Sequence, residues 1–162
     1  MKKYAIGLFI GRFQPFHKGH LHLIKRSLHY ADKLTVAIGS ANRRDKQNPL
    51  SLEKRKKILG EVLKREKIEE RVNKIVSIDD YLESDDLWLE KALEKAGKFD
   101  VLIGNDDWTD NIFEKAGYRV LRLGFYKRQL YEGTKIRKLQ RNRMNWESRV
   151  PDYTVKYLSE KI

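Results

Sequence analysis

"YAIGLFIGRFQPFHKGH", residues 4–20, sets an unbroken apolar run directly before a Gly-Arg pair, a proline and two histidines three apart. Such a run marks a strand buried on both faces, as in parallel sheets. Beyond it, Leu21, Ile24, Leu28 and Ala31 fall on one helical face. The same alternation then repeats. Apolar strands are expected at 33–39, 73–78, 99–104 and 118–124. Between them lie a helix capped by Ser51 and carrying Ile58, Val62, Leu63 and Ile68, a helix ending at Gly97, and a short helix at 108–117. This pattern predicts an α/β fold with a doubly wound, Rossmann-like parallel sheet. It also predicts a single domain over residues 1–162, with a helical segment from about 134 to 162, where Pro151 opens a last short helix. Doubly wound sheets bind ligands beyond the carboxyl ends of their strands. The turns at Gly11, Ser40 and Gly104 are therefore expected to share one crevice.

The chain has 162 residues, a formal net charge of +12 and no cysteine. Disulfide and thiolate chemistry are excluded, and a reducing compartment fits. The N-terminus begins with two lysines before an apolar run, as a signal peptide does. Gly7 breaks that run, Gly11-Arg12 ends it, and no small-residue cleavage site follows. A first strand and a cytoplasmic location are expected, with no membrane span. The charge attracts anions such as nucleic acid, membrane surfaces or phosphorylated metabolites; a lysine-rich solvated surface explains it equally well.

The histidines sit where a strand ends and a helix begins. A helix N-terminus offers free N–H groups and positive potential, which suits phosphate. His17 and His20 share a face if the turn is helical, so two imidazoles can address one phosphate. Gly19 permits close approach of a ligand, and Arg12 adds a permanently charged fork. A metal site is disfavoured: only His22 and His29 remain, both on the same helix, and there is no cysteine. No GxxxxGK[ST] occurs, and no GxGxxG follows the first strand.

Gly11-Arg12-Phe13-Gln14-Pro15-Phe16-His17-x-Gly19-His20 resembles the HxGH signature of the nucleotidylyltransferase superfamily. In its longer form it is similar to the archaeal-type nicotinamide mononucleotide (NMN) adenylyltransferases. "YEGTKIRK", residues 131–138, resembles the family's C-terminal phosphate loop, with Gly133, Thr134 and Arg137 at its Gly, Thr and Arg positions. The resemblance implies the HxGH type of Rossmann-like fold and transfer of AMP from ATP to NMN, giving NAD and pyrophosphate. It implies His17, His20, Arg12 and Arg137 as catalytic groups. It implies Gly11, Arg12, Phe13, His17, Gly19, His20, Tyr131, Gly133, Thr134 and Arg137 around ATP. It implies Gln14, Ser40, Trp88, Gly104 and Asn105 around NMN. It implies too that magnesium travels with the ATP phosphates, that the protein itself holds no metal, and that the protein is a homo-oligomer.

Trp88 is the family's stacking ring or a core residue between Leu87 and Leu89. Asn105 is a ligand contact or a turn former. The loop after Ser40 departs from the family, reading Asn42-Arg43-Arg44-Asp45, and Asp106-Asp107 replaces a proline after Gly-Asn. Acceptor identity is accordingly the open question, with nicotinic acid mononucleotide, phosphopantetheine, FMN or a cytidylyl transfer as alternatives. A basic nucleic-acid-binding protein is the rival from another class.

Overall fold

Residues 3–159 are described by the computed structural model. Tyr4–Gly11 (β1) lies at the centre of a five-stranded sheet. Ala31–Ile38 (β2) and Val72–Ser77 (β3) extend it on one side, Val101–Gly104 (β4) and Val120–Arg122 (β5) on the other. The order is β3-β2-β1-β4-β5 and every pairing is parallel. The direction of winding reverses between β1 and β4. Gly11 pairs with Ile38, Ile38 with Ser77, and Phe9 with Ile103, so the carboxyl ends form one edge.

Alternation along the strands builds two cores. Phe9, Val36, Ile38, Val101 and Ile103 face one side; Leu8, Ala37 and Leu102 face the other. The first side is covered by Lys18–Ser27 (α1) and Leu52–Arg65 (α2), through Ile24, Ile58, Leu59, Val62 and Leu63. The second is covered by Asp85–Ala96 (α3) and Asp107–Lys115 (α4), through Trp88, Ala92, Ala96 and Phe113. Gly133–Arg141 (α5) packs Ile136 against Trp146 and Val150 in a small third cluster. Ser51 caps α2 as expected, accepting the Lys54 N–H, and Gly97 ends α3 with a φ of +66°. Among the described residues no helix is long and apolar enough to cross a membrane.

Two expectations need correction. Ala31 opens β2 instead of extending the first helical face, because the chain turns through His29 and Tyr30 after Ser27. Ile68 lies outside α2. Lys67 adopts a left-handed φ of 59°, and the Ile68 N–H reaches back to the Leu63 carbonyl, a Schellman ending that tucks Ile68 against the core. The helical segment expected from about 134 runs as several short pieces within the described residues. Arg143 (φ 53°) and the Met144 N–H bonded to Leu139 close α5 in the same way. Two 3-10 turns, Glu147–Arg149 and Asp152–Thr154, lead to the four-residue helix Val155–Leu158 (α6). Residues 160–162 of that segment lie outside the described residues.

Candidate active site

The turn after β1 delivers its histidines as a clasp. His17 is the N-cap of α1, and its Nδ1 accepts the His20 backbone N–H at 3.3 Å. In return the His17 backbone N–H donates to His20 Nδ1 at 3.1 Å. This is a capping box made of two imidazoles in place of the usual Ser and Glu. The rings stack at 3.6 Å. Each Nδ1 is an acceptor, so each neutral ring carries its proton on Nε2. Burial pushes the His17 ring down to about 3. Burial also holds His20 well below its ordinary 6.5, with His17 and Arg12 adding to the effect. At neutral pH the pair therefore presents two uncharged N–H donors of fixed tautomer.

Aromatic packing fixes the clasp from below. Phe13, at a left-handed φ of 55°, and Phe16 are buried against His20, with ring centroids 4.9 and 5.4 Å away. Phe13, expected near ATP, is wholly a packing residue in this structure. Gly19 has a packing reason of its own beside the expected ligand approach. A Cβ there would lie 2.9 Å from the His17 ring and 3.0 Å from Tyr131 Cβ. The small residue lets α1 and the segment leading into α5 close on each other.

That closure brings the two distant motifs together. Arg137, 3% exposed, donates from Nη1 to the Gln14 carbonyl at 2.8 Å. Its Nη2 donates to Thr134 Oγ1 at 3.2 Å and to Gln47 Oε1 at 3.0 Å. Gly133 makes room, since a Cβ there would meet Arg137 Nη1 at 2.9 Å. The N-termini of α1 and α5 thus face the same turn, and both favour anions. Arg12 donates to Asn48 Oδ1 at 3.3 Å. Arg55 lies beneath, 1% exposed, donating to the carbonyls of Arg12, Gly39, Ser40 and Ser51.

A crevice of about 630 Å³ opens where the winding reverses, lined by Gly11, Arg12, His20, Gly104, Asn105 and Arg128 among others. Asp106, of open role in sequence, is the N-cap of α4, its Oδ2 accepting from Thr109 N–H and Oγ1–H. Asp107 faces the crevice. Asp110 is 1% exposed, and neither carboxyl oxygen has a hydrogen-bond donor among the described residues. Burial raises its carboxyl to about 6 despite Arg122 at 3.2 Å. Among the described residues no group of three or more His, Asp or Glu is placed to hold a metal ion.

Most of the residues expected around an acceptor have partners within the protein. The Gln14 amide is clipped onto the backbone of Leu50 at 2.9 and 3.0 Å. The Asn105 amide is clipped onto Gly124 in the same manner, at 2.7 and 2.8 Å. Both fix one loop against another instead of presenting an amide. Trp88 is 4% exposed, with Trp108 and Phe113 edge-on to it, so its ring offers no free face. Ser40 donates its hydroxyl to Asp80, which Arg43 also approaches at 3.4 Å. Gly104 lines the crevice, and a Cβ there would meet Asp110 Oδ1 at 2.8 Å. Sequence reasoning missed Asp80 and Asp110 and gave Arg55 no role. Arg55 had a signal: it falls in register with Ile58, Leu59 and Val62 on the buried stripe of α2.

Residues 8–142 match the family described as Cytidylyltransferase-like. The chain is 35% identical over 152 residues to the nicotinamide-nucleotide adenylyltransferase of Thermoplasma volcanium, across 93% of this chain and 84% of that protein. In three dimensions it resembles a bifunctional NMN adenylyltransferase/ADP ribose pyrophosphatase from Francisella tularensis, with a TM-score of 0.81 at 24% identity. That match covers 98% of this chain and 51% of the other, so the chain spans about half of the bifunctional protein. The same bifunctional protein complexed with AMP and a Mn ion matches with a TM-score of 0.77 at 25% identity, over 98% of this chain and 50% of that one.

Proposed function

The chain belongs to the cytidylyltransferase-like family, and from that premise we infer that it is a nicotinamide-nucleotide adenylyltransferase, joining NMN to the AMP moiety of ATP. One observation carries the assignment of the chemistry to residues. The His17–His20 clasp holds two neutral Nε2–H donors beside Arg12, while Arg137 is tied to the same turn through Gln14.

An oxygen of the NMN phosphate attacks the α-phosphorus of ATP. The new P–O bond forms as the bond to the bridging α,β oxygen breaks, and its electron pair leaves with pyrophosphate. The attacking oxygen is already anionic at neutral pH, so no base removes a proton. What the protein must do is hold two polyanions together and stabilise the charge that shifts onto the leaving group. His17 and His20 donate to phosphate oxygens without adding positive charge of their own. Arg12 and Arg137 supply that charge, and the N-termini of α1 and α5 add backbone N–H groups.

Magnesium bound to the triphosphate is the proposed cofactor. The acidic residues of the crevice do not form a cage for it, since Asp106 is committed to capping α4 and Asp110 is buried beside Arg122. The ion neutralises phosphate charge when bound. A cytoplasmic location and a homo-oligomeric state complete the proposal. Light scattering on the purified protein tests the latter.

Pyrophosphate release with ATP and NMN, nicotinic acid mononucleotide, phosphopantetheine or FMN tests the reaction. NMN is expected to support turnover; turnover with another acceptor but none with NMN would refute the assignment.

A further inference from the structure

Two arginines assigned to the phosphates are already hydrogen-bonded to consecutive side chains of the loop after β2. Arg12 donates to Asn48 Oδ1 at 3.3 Å, and Arg137 donates to Gln47 Oε1 at 3.0 Å. The two amides are held differently. Asn48 is buried, and Asp45 Oδ1 accepts from both its backbone N–H and its side-chain N–H at 3.0 Å. It belongs to the frame. Gln47 is exposed, and among the described residues its side-chain amide is bonded to Arg137 alone.

Arg137 is almost wholly buried, with its Nε unpartnered. The Gln14 carbonyl and Thr134 are fixed partners of its guanidinium, leaving Gln47 as the one partner on an exposed loop. A buried guanidinium with unmet donors is costly, and a neutral carboxamide oxygen meets one of them without a second full charge. Phosphate oxygens bind the same fork with a charge-assisted bond, roughly twice as strong. We propose that Gln47 Oε1 occupies, on Arg137, the place of a triphosphate oxygen and gives way when ATP binds. Gln47 is a positioning residue: it meets one donor of Arg137 in the free protein and competes with the triphosphate for it, leaving adenosine and the acceptor untouched. The inference rests on the adenylyl-transfer reading above.

The test compares Q47A and Q47E with wild type, using calorimetric binding of ATP and of adenosine together with steady-state kinetics. Glutamate adds a carboxylate that pairs with Arg137 and is not readily displaced. Q47E is expected to weaken ATP at least about ten-fold, more at low ionic strength. Its KM for ATP should rise while kcat and the KM for NMN hold. Q47A removes the stand-in without adding charge and is expected to bind ATP no more weakly than wild type. Adenosine should bind all three alike. An unchanged ATP affinity in Q47E would overturn the proposal, as would an equal shift for adenosine. Q47A losing as much ATP affinity as Q47E would make Gln47 a direct ligand and overturn it too. Wild-type turnover of NMN, measured alongside, tests the function by itself.

Discussion

Replacing His17 by asparagine isolates the acid sensitivity of the histidine clasp. Asparagine is a strong N-cap residue, and its side-chain oxygen can take over the bond that Nδ1 now accepts from the His20 N–H. It does not titrate. In the folded protein His17 is held at about 3, whereas in the unfolded chain its value is about 6.5. The unfolded chain therefore binds the proton first as pH falls. Stability from keeping this ring neutral is complete above 6.5 and is lost progressively between 6.5 and 3. Each pH step in that window costs about 1.4 kcal/mol, so His17 alone removes about 2 kcal/mol between pH 7.5 and 5. With a urea dependence of about 2 kcal/mol per molar, the unfolding midpoint should drop by about 1 M from this group. His20 adds its own loss in both proteins. Urea unfolding followed by circular dichroism at pH 7.5 and 5 is the assay. His17→Asn should lie within about 1 kcal/mol of wild type at pH 7.5 and lose about 2 kcal/mol less on acidification. Equal losses in the two proteins would refute the claim that His17 is buried neutral.

His20→Asn keeps an acceptor for the His17 N–H but removes the Nε2–H donor; kcat/KM should fall by about 10² to 10³ with the circular dichroism spectrum unchanged, and near-normal turnover would remove His20 from the reaction. Asp110→Asn runs opposite to His17 in pH. A carboxyl raised from 3.8 to about 6 binds its proton more tightly when folded, so stability is greatest below 3.8 and declines as pH rises through 6. The variant should therefore gain on wild type by about 3 kcal/mol between pH 3.5 and pH 8, in urea titrations, and a difference independent of pH would contradict the buried charge. Arg55→Lys puts a single ammonium where one guanidinium reaches four carbonyls; a loss of about 3 kcal/mol, or roughly 10 °C in melting temperature, is expected by calorimetry, and an unchanged Tm would refute its structural role.

The sheet was legible in sequence because hydrophobic periodicity encodes it directly, and the two motifs that meet at Gln14 and Arg137 were legible through their resemblance to a known family. The apolar runs at β1 and β2 and the clean caps at Ser51 and Gly97 left little ambiguity. Helix ends at Lys67 and Arg143 were hidden, since each takes a left-handed turn without the usual glycine. The partners of the acceptor-side residues were hidden for a different reason. A motif position says that an amide is present, and leaves open whether it meets a ligand or clips two loops together. Gln14 and Asn105 clip loops. For Trp88 a warning was present: Trp88, Ala92 and Ala96 recur every four residues on the buried face of α3. Trp108, 47% exposed at the start of α4, is the ring that solvent reaches there. Loop-to-loop contacts such as Ser40 with Asp80 carry no local signature, because their partners meet only after the strands pair.

The bond from Arg137 to the Gln14 carbonyl joins residues 123 positions apart. Synthesis runs from the N-terminus, so a growing chain exposes the histidine clasp early and receives the distant arginine only near its end. Fragments that stop before α5 can contain all five strands, yet they lack Thr134 and Arg137. On the proposed function, such fragments lack half of the grip on a triphosphate. On the proposed reading, competence to handle ATP therefore waits until the last major helix docks.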